Sequence, residues 1–274
     1  MITAPTSPGL YPDLPEDVYH GDPESLSSTG VRLLVKQGGP AKLVGSERED
    51  SDAFDIGTAA HTMLLGTGAG IEEVEADSWS TKAAREARAK ARDEGKVPLL
   101  SKQVAATRRM VDAALSQPDI AALFPPAPEG VAEMSAYAID VQTFVTLRAR
   151  FDYLVFGPDK HVKVRDYKTT KNAGPNAFAK SAVDYGYHVQ AAHYIRVLEA
   201  LGYVVDEFVF LAQEKEPPFL TCLFEFDTEA LQVGDRIVTA GAEIFARCME
   251  SGEWPGYEPG INRMSLPAWA MREW

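Results

Sequence analysis

Residues 151–168 read FDYLVFGPDKHVKVRDYK, two apolar runs on either side of a turn. Both runs are rich in β-branched and aromatic residues, which is typical of β-strands. Gly157–Lys160 has the composition of a tight turn, so the pattern predicts an antiparallel hairpin whose first strand starts near Thr143. Asp152 precedes the turn by five residues and Asp166 follows it by six. We therefore expect the two carboxylates to lie nearly opposite each other.

The second strand of this hairpin ends on a carboxylate and an amine that share one face. Because side chains alternate along a strand, that face carries Val162, Val164, Asp166 and Lys168. Buried charges are costly unless they are compensated and hydrogen-bonded. A divalent cation with a phosphate would meet both needs, which favours a nuclease. The alternative is an ordinary ion pair on a solvated sheet face.

Length and composition favour a single domain with a large core. The chain has 274 residues, of which 45% are hydrophobic. No run approaches the roughly 18 apolar residues of a membrane span, and Met1–Pro5 lacks the order of a secretory signal. We expect a cytoplasmic protein. Cys222 and Cys248 are the only cysteines, which argues against iron–sulfur and structural zinc sites.

The formal net charge of −13 opposes a nucleic-acid partner only if charge is spread evenly. Between Thr81 and Arg109, however, nine basic residues face three acidic ones, a local balance of +6. Lys82, Arg85 and Arg88 in this stretch are candidate DNA contacts. The alternative is a solvated, Ala-rich helix.

Periodicity predicts helices before and after a run of strands. The predicted helices cover about 31–35, 51–65, 81–95, 102–115 and 187–201, with a long one ending near 249. Strands are predicted at 131–139, 143–156, 161–170, 207–212 and 219–226. We expect an extended arm through residue 22, an irregular crossover at 118–128, and an irregular C-terminal strap from 254, over the core or between subunits.

Two of the predicted helices carry polar residues at a shared face. Gly57 and His61 are four residues apart, so they stack on one side, and the glycine leaves room beside the imidazole. Tyr187, Gln190 and Tyr194 also share a face. Two roles stay open for Tyr187, Gln190 and Tyr194: packing in the core, or contributing to the functional site.

The strands contribute three further candidates. Glu133 is expected on the same strand face as Val131, Ser135, Tyr137 and Ile139. Arg148 and Arg150 are expected on the face of Asp152, where they would hold phosphates. Ion pairing within the sheet is the alternative role for these two arginines.

These motifs together resemble the PD-(D/E)XK nuclease superfamily. In chain order they are GTAAH (57–61), Glu133, FD (151–152), DYK (166–168) and QAAHY (190–194). Within the superfamily the chain looks most like the exonuclease VIII (RecE) type of phages and prophages, over roughly His20 to Trp269. Phe151 stands where the motif is named for a proline.

The resemblance implies an α/β (α+β) fold with a PD-(D/E)XK, restriction-endonuclease-like core. That core is a mixed central sheet of about five strands flanked by helices, with a helical N-terminal elaboration. Residues 1–274 would form a single exonuclease domain: arm and helices at 1–125, catalytic core at 126–250 and C-terminal strap at 251–274.

The resemblance also implies a metal site with one or two Mg²⁺ or Mn²⁺ ions. Its protein ligands would be Asp152, Asp166, the backbone carbonyl of Tyr167 and the imidazole of His61. Hard oxygen donors suit such cations.

Four more side chains match catalytic positions of the superfamily. Glu133 would assist metal or water binding, and Lys168 would orient the attacking water or stabilise developing charge. Gln190 and Tyr194 would border the site. Burial lowers the pKa of such a lysine and neighbouring carboxylates raise it; the sequence leaves open which prevails.

As a function, the resemblance implies a metal-dependent exodeoxyribonuclease that degrades one strand of linear double-stranded DNA, 5′ to 3′. The 3′ single strand would pass to a RecT-like annealing protein, in the host cytoplasm if the chain is phage-encoded. Relatives form homo-oligomeric rings around DNA. A ring with a basic inner wall would reconcile the +6 stretch with the acidic total.

Other classes of function stay open. One is a RecB-like or a CRISPR-associated four-cysteine nuclease, the latter disfavoured by the two distant cysteines. A second is a non-catalytic DNA-binding module on the same fold. A third is a glycoside hydrolase that uses Glu133 with an aspartate.

Overall fold

The computed structural model describes residues 3–45, 52–125, 130–268 and 270–271. Its strands are β1 Gly9–Tyr11, β2 Leu26–Ser27, β3 Ile71–Val74, β4 Val97–Leu100, β5 Gly130–Ile139, β6 Thr146–Phe156, β7 His161–Thr170, β8 Val204–Glu214 and β9 Thr221–Phe224. Its helices are α1 Glu16–Gly21, α2 Ser28–Leu34, α3 Gly39–Gly45, α4 Asp52–Leu65, α5 Lys82–Asp93, α6 Ser101–Leu115, α7 Pro118–Ala121, α8 Pro175–Tyr185, α9 Tyr187–Ala200 and α10 Thr228–Ser251. Parts of four predictions lie outside these described residues: the start of the arm, the helix start at Ser51, the crossover at 126–128 and the strap at 269 and 272–274.

The central sheet has seven strands in the order β1-β5-β6-β7-β8-β9, with β2 paired to β6. The pairs β7–β8 and β2–β6 are parallel and the others are antiparallel. This confirms the predicted mixed sheet flanked by helices. Of the two strands beyond the predicted five, β1 lies in the N-terminal arm and β2 follows the arm. The arm also contains helix α1, so the expectation of an arm with little regular structure is wrong.

Both faces of the sheet are covered by helices. On one face, α2, α9 and α10 enclose a core that includes Leu147, Phe151, Val164 and Phe210. On the other face, residues of α4, α6 and α7 pack on Tyr153, Tyr167 and Leu211. The strands that carry the predicted acidic residues are therefore in the middle of a three-layer structure.

Several elements beyond the N-terminal ones were missed because their local signals are weak: β3, β4, α3, α7 and α8. The crossover expected to be irregular from residue 118 thus begins with the short helix α7. β3 and β4 form a small parallel sheet that contacts α5 and α6. All four residues of β4 are buried. α8 begins at Pro175, in a stretch whose Gly and Pro predict a loop; proline is in fact tolerated at the first position of a helix. No described helix is long and apolar enough to cross a membrane.

The C-terminal segment packs on the helices at its beginning only. The Trp254 ring meets Phe245 of α10 edge to face at 5.8 Å. The Pro255 carbonyl accepts a hydrogen bond from the Ala41 amide at 3.2 Å. From Glu258 to Ala268 every residue is exposed.

Helix α10 supports α9 through a very close contact at a glycine. A Cβ atom added at Gly234 would lie 2.3 Å from the carbonyl oxygen of His188 in α9. Gly241 approaches α2 in the same way, with a virtual Cβ 2.9 Å from Val31. The absence of side chains at these two positions sets the spacing of the helical layer that carries Gln190.

We expect Gly234→Ala to lower the free energy of unfolding by about 1–3 kcal/mol, because the added methyl must push α9 away from α10. Urea denaturation measures this. The matched control is Gly21→Ala at the end of α1, where an added Cβ meets nothing within 4 Å. The control should be neutral or slightly stabilising; equal losses in the two variants would contradict the close-contact explanation.

Candidate active site

The site lies where two paired strands separate. The β6–β7 ladder runs from Phe156–Val162 to Tyr153–Arg165 and ends there, although β7 continues to Thr170. Asp152 and Asp166 are the next residues past the last pair. Nearer the start of β6, where β7 no longer pairs with it, Leu147 and Arg148 pair with β2. The strands diverge into a cleft of about 1100 Å³.

A third acidic residue falls opposite Asp152 on the neighbouring strand β5. The β5–β6 register pairs Ala132 with Tyr153 and Met134 with Phe151, which places Glu133 across from Asp152. Glu133 has a positive φ of 53°, a conformation that costs a residue with a side chain about 1–3 kcal/mol. Glu133, Asp152 and Asp166 thus occupy three adjacent strands at one level.

In β5 and β6, the alternation of side chains between the two faces of the sheet reverses at Glu133 and Asp152. On β6, Leu147, Ala149 and Phe151 face the first core, whereas Tyr153 belongs to the second and Leu154 again to the first. On β5, the change comes at Glu133: Met134 faces the first core and Ala132 packs against the second. Strict alternation, on which the predicted faces depended, therefore fails at Glu133 and Asp152.

Asp152 is held by contacts from both neighbouring elements. Its Oδ2 accepts a hydrogen bond from the Tyr167 amide at 2.7 Å. The same oxygen lies 3.4 Å from Nδ1 of His61 on α4. The His61 ring also packs on the Tyr167 ring, with centroids 5.0 Å apart. Of the predicted ligands, His61 and Asp152 thus lie next to each other, and Tyr167 contacts them through its amide and its ring; the role of the Tyr167 carbonyl as a ligand stays a prediction.

Asp166 is held on the opposite side by an amide and an amine. Gln190 of α9 donates to its Oδ2 from Nε2 at 2.7 Å. The Lys168 ammonium forms an ion pair with Oδ1 and lies over the Tyr187 ring, 5.3 Å from its centroid. Only 1% of Asp166 is exposed, so these contacts replace nearly all of its water.

The strand position of Tyr167 is fixed by a buried network that the sequence did not reveal. The Tyr167 hydroxyl donates to Oε1 of Gln213 at 2.6 Å, and the Gln213 amide donates to the Met110 carbonyl at 2.7 Å. Gln213 is fully buried on β8. A long-range network of this kind leaves no local pattern in the sequence.

Burial governs the protonation of the three acids. Burial raises the pKa of Asp166 to about 6, against the attraction of Lys168 and with a smaller contribution from the Asp152 charge. It also raises the pKa of Asp152. The pKa of Glu133 is raised to about 7 by burial and then by Asp152, although Arg150 opposes the change. The site therefore carries negative charge that the protein alone does not fully stabilise.

The two basic groups respond in opposite directions. Burial works to lower the pKa of Lys168, but Asp166 and Asp152 together outweigh it, so the pKa lies above its usual value. This answers the question that the sequence left open. Burial, followed by the Lys168 charge, lowers the pKa of His61 to about 4. His61 is neutral at pH 7 and its ring can act as a ligand.

The predicted phosphate-binding arginines of β6 bind the N-terminal arm instead. Arg148 is buried, and its Nη1 donates to the carbonyls of Asp22, at 2.8 Å, and Ser25. Arg150 lines the cleft, pairs with Glu133 at 3.0 Å and donates to the Leu14 carbonyl at 2.8 Å. Ion pairing within the sheet, the alternative considered for both residues, is found for Arg150 with Glu133, whereas Arg148 bonds to backbone carbonyls.

The basic stretch spans α5, β4 and most of the length of α6 to Arg109, and none of its nine basic residues lines the cleft. Lys82 pairs with Glu86 at 3.6 Å on an exposed turn. Arg88 reaches Asp55 of α4 at 3.4 Å and lies over the Trp79 ring at 4.9 Å. Arg85 is exposed. Their role as DNA contacts stays a prediction.

Tyr194 and Tyr187 have separate environments. Tyr194 is buried against Phe151, with ring centroids 4.9 Å apart, and burial raises its pKa well above the usual value. Tyr187 lines the cleft and carries Lys168 over its ring. Other cleft residues that sequence reasoning missed are Lys171, Tyr185 and Lys215; a hint was the position of Lys171 directly after the end of β7.

The chemistry of the donor set fits a hard divalent cation. Two buried carboxylates with raised pKa values gain from a nearby positive charge, and a neutral imidazole is next to them. Within the described part of the chain, however, no group of three or more His, Cys, Asp or Glu side chains already converges as a metal site. In this arrangement the Lys168 ammonium supplies the compensating charge.

The fold and site define the class of PD-(D/E)XK nucleases. Residues 36–264 match the model of the PDDEXK-like domain of unknown function (DUF3799), and the chain belongs to this family. The superfamily predicted from the motifs is thereby confirmed. No curated protein sequence matches the chain.

A solved structure with the same fold is an exonuclease candidate from Eubacterium rectale. It superposes with a TM-score of 0.61 at 11% identity, covering 95% of this chain and 98% of that one. A phage-related exonuclease from Haemophilus somnus 129PT covers 84% of this chain and 96% of its own at 10% identity. Its TM-score of 0.33 is too low to establish a common fold.

A pH-dependent stability test follows from the pKa of Glu133. Because the folded pKa, about 7, exceeds the unfolded value, Glu133 favours folding below about pH 4.5, and this contribution is lost as the pH rises through 7. Glu133→Gln stays neutral at every pH. In EDTA, the variant should gain roughly 3 kcal/mol over the natural protein between pH 4.5 and pH 8.

Urea denaturation of the two proteins across this pH range measures the gain. The other titrating groups are common to both proteins and largely cancel in the difference. A difference in unfolding free energy that does not change with pH would show that Glu133 is ionised normally in the folded state.

Proposed function

We propose that this chain is a metal-dependent exodeoxyribonuclease that hydrolyses one strand of linear double-stranded DNA. The observation that supports this most directly is the pair of a buried Asp166 and a partly buried Asp152 at the separation of two strands, beside Lys168 and an open cleft. A purely structural ion pair would be enclosed in the core. The Asp166–Lys168 ion pair instead adjoins a cleft that Lys168 and Asp152 line and that is large enough for a nucleotide.

PD-(D/E)XK nucleases generally use divalent metal ions. The residues that would hold Mg²⁺ or Mn²⁺ here, one or two ions per site, are Asp152, Asp166, His61 and the Tyr167 carbonyl. When bound, such an ion neutralises phosphoryl oxygens and lowers the pKa of water.

Side chains of the protein would stabilise charge on the phosphate, accept a proton from water and orient the two aspartates. Lys168 keeps its proton because two carboxylates surround it, so it acts as a cation that stabilises the charge developing on the phosphate. Glu133, with a pKa of about 7, has the acidity suited to accept a proton from water at neutral pH. Gln190 fixes the rotamer of Asp166, and Tyr167 fixes that of Asp152.

Polarity, assembly and partners are further parts of the proposal. Cleavage from 5′ to 3′, a homo-oligomeric ring around the DNA, a RecT-like annealing partner and a cytoplasmic location are supported by the resemblance to the exonuclease VIII type. The +6 stretch within a chain of net charge −13 supports a DNA path lined by α5. A RecB-like nuclease with another role is the second candidate.

The direct test uses linear duplexes labelled at either 5′ end, with and without Mg²⁺. We expect Mg²⁺-dependent release of mononucleotides from linear DNA and none from closed circles. Asp166→Asn and Lys168→Gln should each lower the rate at least about 100-fold, because each removes charge stabilisation in the transition state. Full activity in EDTA, or in Asp166→Asn, would overturn the proposal.

A second test addresses the DNA path along α5. The double variant Lys82→Glu, Arg85→Glu should shorten the tract degraded per binding event several-fold, since the phosphate contacts of the enclosed duplex become repulsive. Arg88 is left intact because it pairs with Asp55. The matched control is Lys36→Glu, Arg236→Glu, two exposed residues, one just after α2 and the other on α10. Equal tract lengths in the two doubles would remove α5 from the path.

A further inference from the structure

Two lysines lie side by side at the cleft end of the central strands. β7 and β8 run parallel in a register that pairs Thr170 with Glu214, so the next residues, Lys171 and Lys215, emerge next to each other. The Lys215 amide donates to the Thr170 carbonyl at 3.2 Å, which continues the ladder by one bond. Both lysines line the cleft that contains Asp152 and Lys168.

This pair carries positive charge without a compensating partner. Among the described residues, no carboxylate lies within ion-pair distance of either ammonium. The adjacent Glu214 carboxylate instead accepts a hydrogen bond from the Ala173 amide at 3.1 Å, and Glu216 is exposed. Like charges in adjacent positions of paired strands are destabilising. Burial and the Lys171 charge accordingly lower the pKa of Lys215.

The backbone around the lysines is held in place before any ligand arrives. The Asn172 amide donates to Oγ1 of Thr170 at 3.4 Å, and the Gly174 amide donates to the Asn172 side chain at 2.8 Å. With the Ala173–Glu214 bond, these contacts fix the turn that follows β7. A fixed turn reduces the entropy that binding must spend on ordering the site.

An aromatic ring is exposed on the other wall of the same cleft. Tyr185, at the end of α8, is 60% exposed. Its ring stacks on Tyr187 with centroids 5.8 Å apart, and Tyr187 in turn carries Lys168. An exposed ring next to basic side chains is the combination that binds single-stranded nucleic acid, through base stacking and phosphate contacts.

The lysine pair is close to the catalytic candidates along the chain. Lys171 is three residues beyond Lys168 along an extended chain, about 10 Å at roughly 3.3 Å per residue. Both lysines line the same cleft as Lys168, so they can contact the same strand within a few nucleotides of the phosphate that Asp166 and Lys168 would process.

We propose that Lys171, Lys215 and Tyr185 form a subsite for an unpaired segment of the DNA strand being cut. The two ammonium groups bind its backbone phosphates and the tyrosine ring stacks on a base. The subsite rests on the proposed nuclease function, to which it adds a requirement that the end of the duplex opens before cleavage.

The test compares binding of a fluorescent 12-nucleotide single strand in EDTA, by polarisation, over a range of salt concentrations. For Lys171→Gln, Lys215→Gln we expect the slope of log affinity against log salt to fall by about 1.4, that is about 0.7 for each lost phosphate contact. The double variant Lys171→Arg, Lys215→Arg should have the slope of the natural protein. Tyr185→Ala should weaken binding about tenfold or more without changing the slope.

The matched control is Lys163→Gln, an exposed lysine near the other end of β7, which should bind like the natural protein. Thermal unfolding checks that each variant is folded. An unchanged slope in the double glutamine variant, while the natural protein degrades linear DNA, overturns the subsite alone. The expected slopes in a protein that degrades no DNA with Mg²⁺ overturn the nuclease proposal and leave a single-strand binding site.

Discussion

The burial of two carboxylates at the point where β6 and β7 part is the constraint on which the rest of the site depends. Separated strands leave backbone and side chains that need new partners. Asp152 takes the Tyr167 amide, and Asp166 takes Gln190 and Lys168. These contacts hold the acids in place but do not restore their usual acidity, so the site retains a demand for positive charge that a cation and substrate can meet.

The helical layers explain why this arrangement is rigid. α10 approaches α9 at Gly234, and α9 delivers Gln190 to Asp166. On the other face, α4 brings His61 to Asp152, and α6 binds the Gln213 amide through a backbone carbonyl. Each acid is therefore oriented by a different layer.

The hairpin, its turn and the opposition of Asp152 and Asp166 could be predicted from the sequence, because alternation and turn composition are local signals. Helical spacing singled out His61 and Gln190, and the family resemblance added the roles expected of them. The partners of Arg148 could not be predicted from the sequence. They are backbone carbonyls more than a hundred residues earlier in the chain, which strand periodicity cannot show. The phase change at Glu133 was hidden for a similar reason, since a single residue with positive φ leaves the apolar pattern nearly intact.

That phase change has an evolutionary consequence. Because Glu133 and Asp152 reverse the alternation of two paired strands at the same level, a mutation that straightened only one strand would leave its core residues facing the wrong layer. The two positions can drift only in concert. Descendants of this protein that abandon hydrolysis should therefore keep the distorted backbone long after the acidic side chains themselves have been replaced.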